Sequence, residues 1–215
     1  MALVLLTLPE RAIWRLRRCV VLSRFLSVGK GTILDPVTSQ FSPYRVSLGN
    51  NVAIGSNAYF GGTIYIHDNV MISRGVAIVA GGHLFGLLGK RPRFIQPTPR
   101  CVARDDTECI VVEDDCWIGA QVTLVGNVRV GMGAVIGAGS VTPRDIPPSV
   151  VAVGNPCRPI KRIFDDKQLA AHLDEIGYPP DVMGSVLARR ADMADLPVVD
   201  YSNRYASEDL DCVPS

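Results

Sequence analysis

Apolar side chains recur every six residues in two long segments, and this period constrains the fold more than any other feature of the sequence. Of the twelve positions in this period, eleven are apolar. They are Leu48, Ile54, Phe60, Ile66, Ile72, Ile78, Val112, Ile118, Leu124, Val130, Ile136 and Thr142. An amphipathic α-helix requires a period near 3.6 residues, and a half-buried strand requires a period of about 2. Neither element accounts for a period of six.

A second series of small or apolar residues lies four positions after each member of the first. It comprises Val52, Ala58, Ile64, Val70, Val76, Gly82, Cys116, Val122, Val128, Ala134, Ser140 and Ile146. Glycine directly follows six of the twelve first-series positions. A six-residue repeat with a bulky residue, a small residue and frequent glycine is typical of a parallel β-helix. With three repeats in each triangular coil, the sequence predicts an all-β domain of four regular coils.

The rest of the chain is organised around these repeats. We predict an N-terminal helical segment at residues 1–28, the β-helix at 29–160, and a C-terminal helical cap and tail at 161–215. Residues 84–109 interrupt the repeats and carry three prolines and five basic residues. A long insertion in a compact repeat is commonly a lid or a binding loop.

The N-terminal segment is both apolar and basic. The apolar run before Pro9 is too short to span a bilayer, and its arginines follow that run, unlike those of a secretory signal. Residues 10–26 favour a basic amphipathic helix. Two interpretations remain open: the helix packs on the first coil or a neighbouring subunit, or it makes weak peripheral contact with an anionic membrane.

Charge and cysteine content restrict the partners and the compartment. The formal net charge is +1, which provides no electrostatic basis for binding nucleic acid. The six cysteines include no C-x-x-C pair. Scattered cysteines in a chain of this length favour a reducing cytoplasm over export.

The segment CWIGAQVTLVGNVRVGMGAVIGAGSVTPRDIPPSVVAVGNPCRPIKRI, residues 116–163, resembles the hexapeptide-repeat O-acetyltransferases, close to the galactoside and maltose enzymes. The resemblance extends from about residue 45 to residue 163. It implies a left-handed β-helix and a homotrimer with acetyl-CoA in clefts between subunits. It also implies transfer of acetyl from acetyl-CoA to a hydroxyl of a sugar or glycosylated acceptor, without a metal.

The resemblance assigns the general base to His83, which lies five residues after Ile78 and directly before the insertion. Imidazole, whose ordinary pKa lies near 6.5, is suited to accept the proton of an attacking hydroxyl. The same fold also occurs in a zinc carbonic anhydrase, whose site requires three converging histidines. The other histidines here are His67, at an outward position, and His172, in the predicted cap, so their spacing disfavours such a site.

Residues that bind acetyl-CoA also follow from the resemblance. They are Trp117, Gly119, Ala120, Ala138, Arg144, Arg158 and Lys161. The tryptophan forms an apolar wall, the small residues follow the pantetheine arm, and the cations lie near the phosphates. Backbone donors near Trp117 and Gly119 are expected to stabilise the oxyanion formed from the thioester. Pro143 replaces the family's threonine and removes a possible N–H donor.

The acceptor half matches the family less closely. Gly55 replaces an asparagine of the galactoside and maltose enzymes, whereas Asn57 matches a second asparagine of the motif. We assign acceptor binding to Asn57 and, in a flap formed by the insertion, to Phe85, Arg91 and Arg93. Two alternatives remain open: an N-acyltransferase acting on an amino sugar, and a non-catalytic trimeric β-helix that binds ligands or serves as a scaffold.

Overall fold

A computed structural model describes residues 10–42, 44–81 and 109–199 of the 215-residue chain. Within these ranges the chain forms an N-terminal helix, α1 (Glu10–Leu22), followed by seventeen strands. Two helices, α2 (Asp166–Glu175) and α3 (Pro180–Arg189), and a 3-10 helix at Ala191–Met193 follow the last strand. None of the described helices is long and apolar enough to cross a membrane.

The strands form three sheets, named A, B and C. Sheet A contains β1 (Ser27–Val28), β4 (Val46–Leu48), β7 (Thr63–Ile66), β10 (Cys109–Val112) and β13 (Val128–Val130). Sheet B contains β2 (Ile33–Leu34), β5 (Ala53–Ile54), β8 (Met71–Ile72), β11 (Trp117–Ile118), β14 (Val135–Ile136), β16 (Val150–Gly154) and β17 (Cys157–Arg162). Sheet C contains β3 (Gln40–Phe41), β6 (Tyr59–Gly61), β9 (Ala77–Ala80), β12 (Thr123–Gly126) and β15 (Val141–Thr142). All pairings are parallel except that of β16 with β17, which is antiparallel.

From β1 to β15, successive strands pass from sheet A to B to C, so three strands make one coil of a triangular prism. The two predicted inward series form its core. Every described member of both series is at most 4% exposed, and Cys116 lies among them as a small apolar residue. The six-residue period and the parallel β-helix predicted from it are confirmed.

The prism contains one more coil than the four that the period predicts. Strands β1, β2 and β3 form a complete first coil beneath β4, β5 and β6. Its inward residues Leu34 and Phe41 are seven positions apart, and Phe41 is seven positions before Leu48. Extra residues at the corners, such as Val37 next to the turn at Asp35, break the period without breaking the coil.

Corners between sheets require positive φ angles, and polar residues adopt them. Asn51, Asn57, Asn69 and Asp115 all have φ between 54° and 60°. Asparagine and aspartate tolerate this left-handed conformation better than other residues with a side chain.

Both ends of the prism are covered. Val21 and Leu22 of α1 pack on the core at the first coil, and the Arg18 guanidinium donates to the Thr32 carbonyl oxygen. The predicted packing of this helix on the first coil is therefore confirmed.

At the other end, Leu169 and Leu173 of α2 pack with Val186 of α3 against Met132. Asp165 caps α2 by accepting from the Gln168 N–H, while the Gln168 side chain accepts from the Asp165 N–H. The predicted helical cap is confirmed.

Candidate active site

A row of apolar side chains crosses the outer face of sheet B and contains Trp117. In the register of sheet B, Trp117 pairs with Met71 on one side and with Val135 on the other. Val135 in turn pairs with Val151. Trp117 is 48% exposed, and its indole N–H donates to the Ser73 hydroxyl at 3.4 Å. The sequence offered no signal for Ser73 as a partner of the indole.

A strip of small residues lies beside this row. Gly119, Ala120, Gly137 and Ala138 follow the buried positions of β11 and β14 toward the corner between sheets B and C. A Cβ atom at Gly119 would lie 2.7 Å from both the Ala138 nitrogen and the Ile136 oxygen, so only glycine allows these coils to stack. The absence of bulky side chains leaves the backbone open to close approach by an extended ligand.

The strip ends at two cations on the last strand. Lys161 lies opposite Val151, and Arg158 lies opposite Val153, in the β16–β17 pair. Both cations are exposed. Because opposite residues in such a pair project to the same face, both belong to the outer face that carries Trp117. Three strand spacings, roughly 14 Å, separate β11 from β17.

The expected oxyanion donors are engaged elsewhere. The Trp117 N–H donates to the Ala134 oxygen at 3.0 Å, and the Gly119 N–H donates to the Ile136 oxygen at 2.8 Å. Both groups are thus consumed by the ladder between coils. The prediction of backbone donors near Trp117 and Gly119 therefore depends on other N–H groups in this region.

The predicted general base, His83, lies outside the described residues. Gly81, the last described residue before it, forms a bridge with Gly126 at the corner between sheets C and A. Arg144 is exposed after β15, at the same corner of the prism. The structure therefore separates the predicted residues into two groups: the strip on sheet B, and the corner that holds Gly81 and Arg144.

The acceptor residues are only partly visible. Asn57 is exposed at the corner between sheets B and C, and its φ of 57° gives it a role in turning the chain. It lies two coils from Ala120 along this corner. Phe85, Arg91 and Arg93 lie outside the described residues. Cys109, assigned to the end of the insertion, is the first residue of β10.

A buried carboxylate lies at the corner that leads to Trp117. Glu113 is 7% exposed, and its Oε1 accepts from Arg129 Nη1 at 2.9 Å and from Arg189 Nη1 at 2.6 Å. Its Oε2 accepts from the Met132 N–H at 2.9 Å. Burial alone would raise the pKa of Glu113, but these hydrogen bonds lower it below its ordinary value. No motif or period in the sequence marks Glu113 as a buried partner of two arginines.

A cavity of about 240 Å³ lies between the cap and the prism. The cavity is lined by Asp115, by His172 and by apolar residues. One of these apolar residues is Val135, the strand neighbour of Trp117. Tyr178 donates its hydroxyl to Asp115 Oδ2 at 3.0 Å. Burial raises the pKa of Asp115 and outweighs this hydrogen bond. Neither the cavity nor its polar groups could be predicted, because they depend on how the cap docks.

The other described histidine, His67, lies on the surface. His67 is half exposed, and its Nδ1 lies 3.9 Å from Asp114 Oδ1. Within the part of the chain that the structure describes, no three His, Cys, Asp or Glu side chains are arranged to hold a metal ion.

Comparisons with known proteins match both halves of the prism. Residues 45–80 match the family model described as hexapeptide repeat of succinyl-transferase. Residues 109–144 match the model described as bacterial transferase hexapeptide with six repeats. These ranges fall on either side of the insertion.

Whole-chain similarities agree with these matches. The galactoside O-acetyltransferase of Escherichia coli is 32% identical over 151 residues, which cover 69% of this chain and 70% of that protein. The alignments span only 28% to 44% of several further curated relatives, from Saccharomyces cerevisiae, Schizosaccharomyces pombe and Staphylococcus aureus.

Two solved structures share the fold. A hexapeptide-repeat acetyltransferase of Vibrio cholerae, complexed with acetyl-CoA, has a TM-score of 0.57 and 26% identity, covering 74% of this chain and 80% of that one. A galactoside acetyltransferase in complex with CoA has a TM-score of 0.55 and 28% identity, covering 75% and 76%. The fold is the left-handed β-helix of these proteins, as predicted. The chain therefore belongs to the hexapeptide-repeat acyltransferase family.

Proposed function

We propose that the protein is an O-acetyltransferase that transfers acetyl from acetyl-CoA to a hydroxyl of a sugar or glycosylated acceptor, with His83 as general base. One observation carries the donor half of this proposal. The strip of small residues beside Trp117 ends at Arg158 and Lys161 on the same outer face.

The strip fits the chemistry of CoA. A pantetheine arm is extended and carries amides, so it requires a surface without bulky side chains, as Gly119, Ala120 and Ala138 provide. The phosphates at its other end require cations, which Arg158 and Lys161 supply. Trp117 forms an apolar wall at the acyl end and limits the access of water. The two solved neighbours hold acetyl-CoA and CoA, which supports the same ligand here.

His83 performs the proton transfer. Bound acetyl-CoA supplies an acetyl group activated as a thioester. His83 accepts the proton of the acceptor hydroxyl as its oxygen bonds to the acetyl carbonyl carbon. The carbon–sulfur bond then breaks, and the departing thiolate takes the proton back from the imidazolium. The products are an acetyl ester and free CoA.

Two copies of the chain build each site in this proposal. The strip occupies the outer face of sheet B, while Gly81 and Arg144 occupy the corner between sheets C and A. A convex triangular prism cannot direct a face and its opposite corner toward one ligand. A neighbouring copy in a homotrimer can bring its own corner, which holds Arg144 and Gly81, two positions before His83, to the strip. Light scattering should then give about three times the chain mass of 23.2 kDa.

The acceptor is a carbohydrate in this proposal. The Escherichia coli relative is named galactoside O-acetyltransferase, which supports a sugar hydroxyl as the nucleophile. Residues 84–109 provide basic and apolar side chains, including Phe85, Arg91 and Arg93, for a flap that selects the acceptor. Asn57 lies at the same corner as Ala120 and Ala138, two coils from Ala120. Replacing the insertion with a Gly-Ser bridge should raise the acceptor KM while leaving CoA affinity unchanged.

Release of the CoA thiol tests the function. Purified protein is incubated with acetyl-CoA and a panel of sugars, glycosides and amino sugars, and the thiol is measured. The His83→Ala variant should lower kcat by roughly 10²–10⁴ and still bind CoA. The matched control is His67→Ala, which removes an exposed histidine and should leave turnover unchanged.

Each contrary result identifies a different error. If His83→Ala keeps more than half of the turnover, the proposed base is wrong. Acetylation of amino sugars alone would identify an N-acyltransferase. No release of thiol with any acceptor, together with CoA binding, would identify a binding protein.

A further inference from the structure

The N-terminal helix α1 has two apolar sides, and the described residues 10–42, 44–81 and 109–199 cover one of them. Val21 and Leu22 pack on the core, and Arg18 anchors this side to the first coil. Leu16 and Val20, four residues apart on the outward side, are 51% and 52% exposed. Side chains at this spacing lie next to each other on a helix, so they form one exposed apolar stripe.

The helix that carries this stripe also carries concentrated positive charge. Residues 10–24 contain five arginines and one glutamate, a formal charge of +4. The whole chain carries a formal net charge of +1, so all other residues together carry −3. Arg11, Arg15, Arg17 and Arg24 are exposed. A solvated helix on the surface of a near-neutral chain requires no such separation of charge.

We propose that this side of α1 docks on an anionic phospholipid bilayer surface. The stripe of Leu16 and Val20 inserts at the boundary between headgroups and acyl chains. Arg15 and Arg17, which lie on either side of Leu16 around the helix, extend their long side chains to the lipid phosphates, as basic residues that flank an apolar helix face commonly do. The proposal does not depend on the proposed enzymatic function.

Charge complementarity favours lipid over a second copy of the chain. An identical copy would place arginine-rich surfaces against each other, because the same helix carries the charge on both copies. An anionic bilayer instead attracts the arginines, and each exposed arginine should increase the affinity for the bilayer roughly fivefold. With two exposed apolar residues, the contact is expected to be weak, reversible and sensitive to salt.

Flotation with vesicles tests the proposal on the full chain. The protein should float with vesicles of phosphatidylglycerol and phosphatidylcholine at low salt, and should neither float with pure phosphatidylcholine nor remain bound at high salt. Replacing Arg11, Arg15 and Arg17 together with glutamine should weaken binding on the order of 100-fold. The Leu16→Gln, Val20→Gln double variant should weaken it roughly tenfold.

The matched control removes three positive charges elsewhere. Arg45, Arg74 and Lys167 are exposed outside α1, and replacing all three with glutamine should leave vesicle binding within about twofold. If the control variant loses as much vesicle binding as the α1 variant, the binding depends on net charge alone and the proposal is overturned. Equal binding to neutral vesicles, or no binding at low salt, also overturns it. A lower molar mass of the Leu16→Gln, Val20→Gln variant would assign the stripe to a contact between copies and would overturn it as well.

Discussion

Arg189 at the end of α3 donates from Nη1 to Oε1 of Glu113 at 2.6 Å, across 76 positions of the chain. Arg129 of the neighbouring coil donates to the same oxygen. The carboxylate therefore connects the C-terminal cap to two coils of the prism, at the corner that leads to Trp117. Its burial makes the loss of either partner more consequential than the loss of a surface ion pair.

Replacing Glu113 with glutamine should destabilise the protein. The change removes the negative charge between two arginines, and we expect a loss of about 2 kcal/mol, or roughly 4–8 °C in Tm, since both arginines remain partly hydrated. The lowered pKa means that the contribution of Glu113 is present at neutral pH and is lost as the pH falls through the folded-state pKa. Thermal melts at pH 7 and in acid check this. Glu175→Gln, an exposed change on α2, should have no effect, and an equally stable Glu113→Gln would show that the ion pairs contribute nothing.

Asp115, two residues away, should behave in the opposite way. Burial raises its pKa above the ordinary value of 3.8, so ionised Asp115 destabilises the fold at neutral pH. Asp115→Asn keeps an acceptor for Tyr178 and tolerates the positive φ of this corner. We expect Tm to rise by about 1–2 °C at pH 7, because solvent screens the half-exposed group. The difference in Tm between Asp115→Asn and the unchanged protein should shrink as the pH falls toward 4. Asp174→Asn, exposed on α2, serves as the control, and a constant difference across pH would contradict the assignment.

The coils could be predicted from the sequence because a six-residue period is a local property. Within the predicted β-helix of residues 29–160, the first coil is less regular than the other four, since the seven-residue steps from Leu34 to Phe41 and Leu48 break the six-residue period while the strands still pair. Contacts between distant segments, such as Arg189 with Glu113, depend on the docking of the cap and leave no periodic signal.

The side chains of the candidate site could be predicted from the sequence better than the use of its backbone N–H groups. Family resemblance selected Trp117, Arg158 and Lys161, and the register of sheet B places them on one face. The use of the Trp117 and Gly119 N–H groups in the ladder was not predictable, because it depends on which strands pair.

Gly119→Ala and Gly184→Ala should change stability in opposite directions. A Cβ atom at Gly119 would meet backbone atoms of the next coil at 2.7 Å, and a rigid coil cannot yield there. We expect a loss of about 2–3 kcal/mol from such overpacking. Gly184 lies inside α3 with nothing within 4 Å of its added Cβ, so alanine should stabilise by about 0.5–1 kcal/mol. Denaturant titration measures both, and equal effects would contradict the stacking role of Gly119.

Trp117→Ala should impair the enzyme without unfolding it. Trp117 is 48% exposed, so its loss leaves the core intact, while the apolar wall at the acyl end disappears. We expect kcat/KM for acetyl-CoA to fall by roughly 10- to 100-fold. Ile33→Ala is the matched control, because Ile33 is 62% exposed on the same sheet, three strands away. Steady-state kinetics with equal losses in both variants would show that the outer face acts only through stability or assembly.

Replacing Arg158 and Lys161 with glutamine should weaken the binding of acetyl-CoA and leave the binding of the acceptor unchanged. Both cations are exposed on β17, so the fold should persist, and two charge-assisted contacts to the CoA phosphates are lost. We expect the KM for acetyl-CoA to rise roughly 10- to 100-fold, with little change in kcat or in the acceptor KM. Acetyl-pantetheine, which lacks the nucleotide, provides the decisive comparison: the variant and the unchanged protein should use it equally well. A variant that loses activity equally with both donors would place these cations outside the phosphate site. Lys167→Gln, which removes an exposed charge on α2 instead, should leave the kinetics of both donors unchanged.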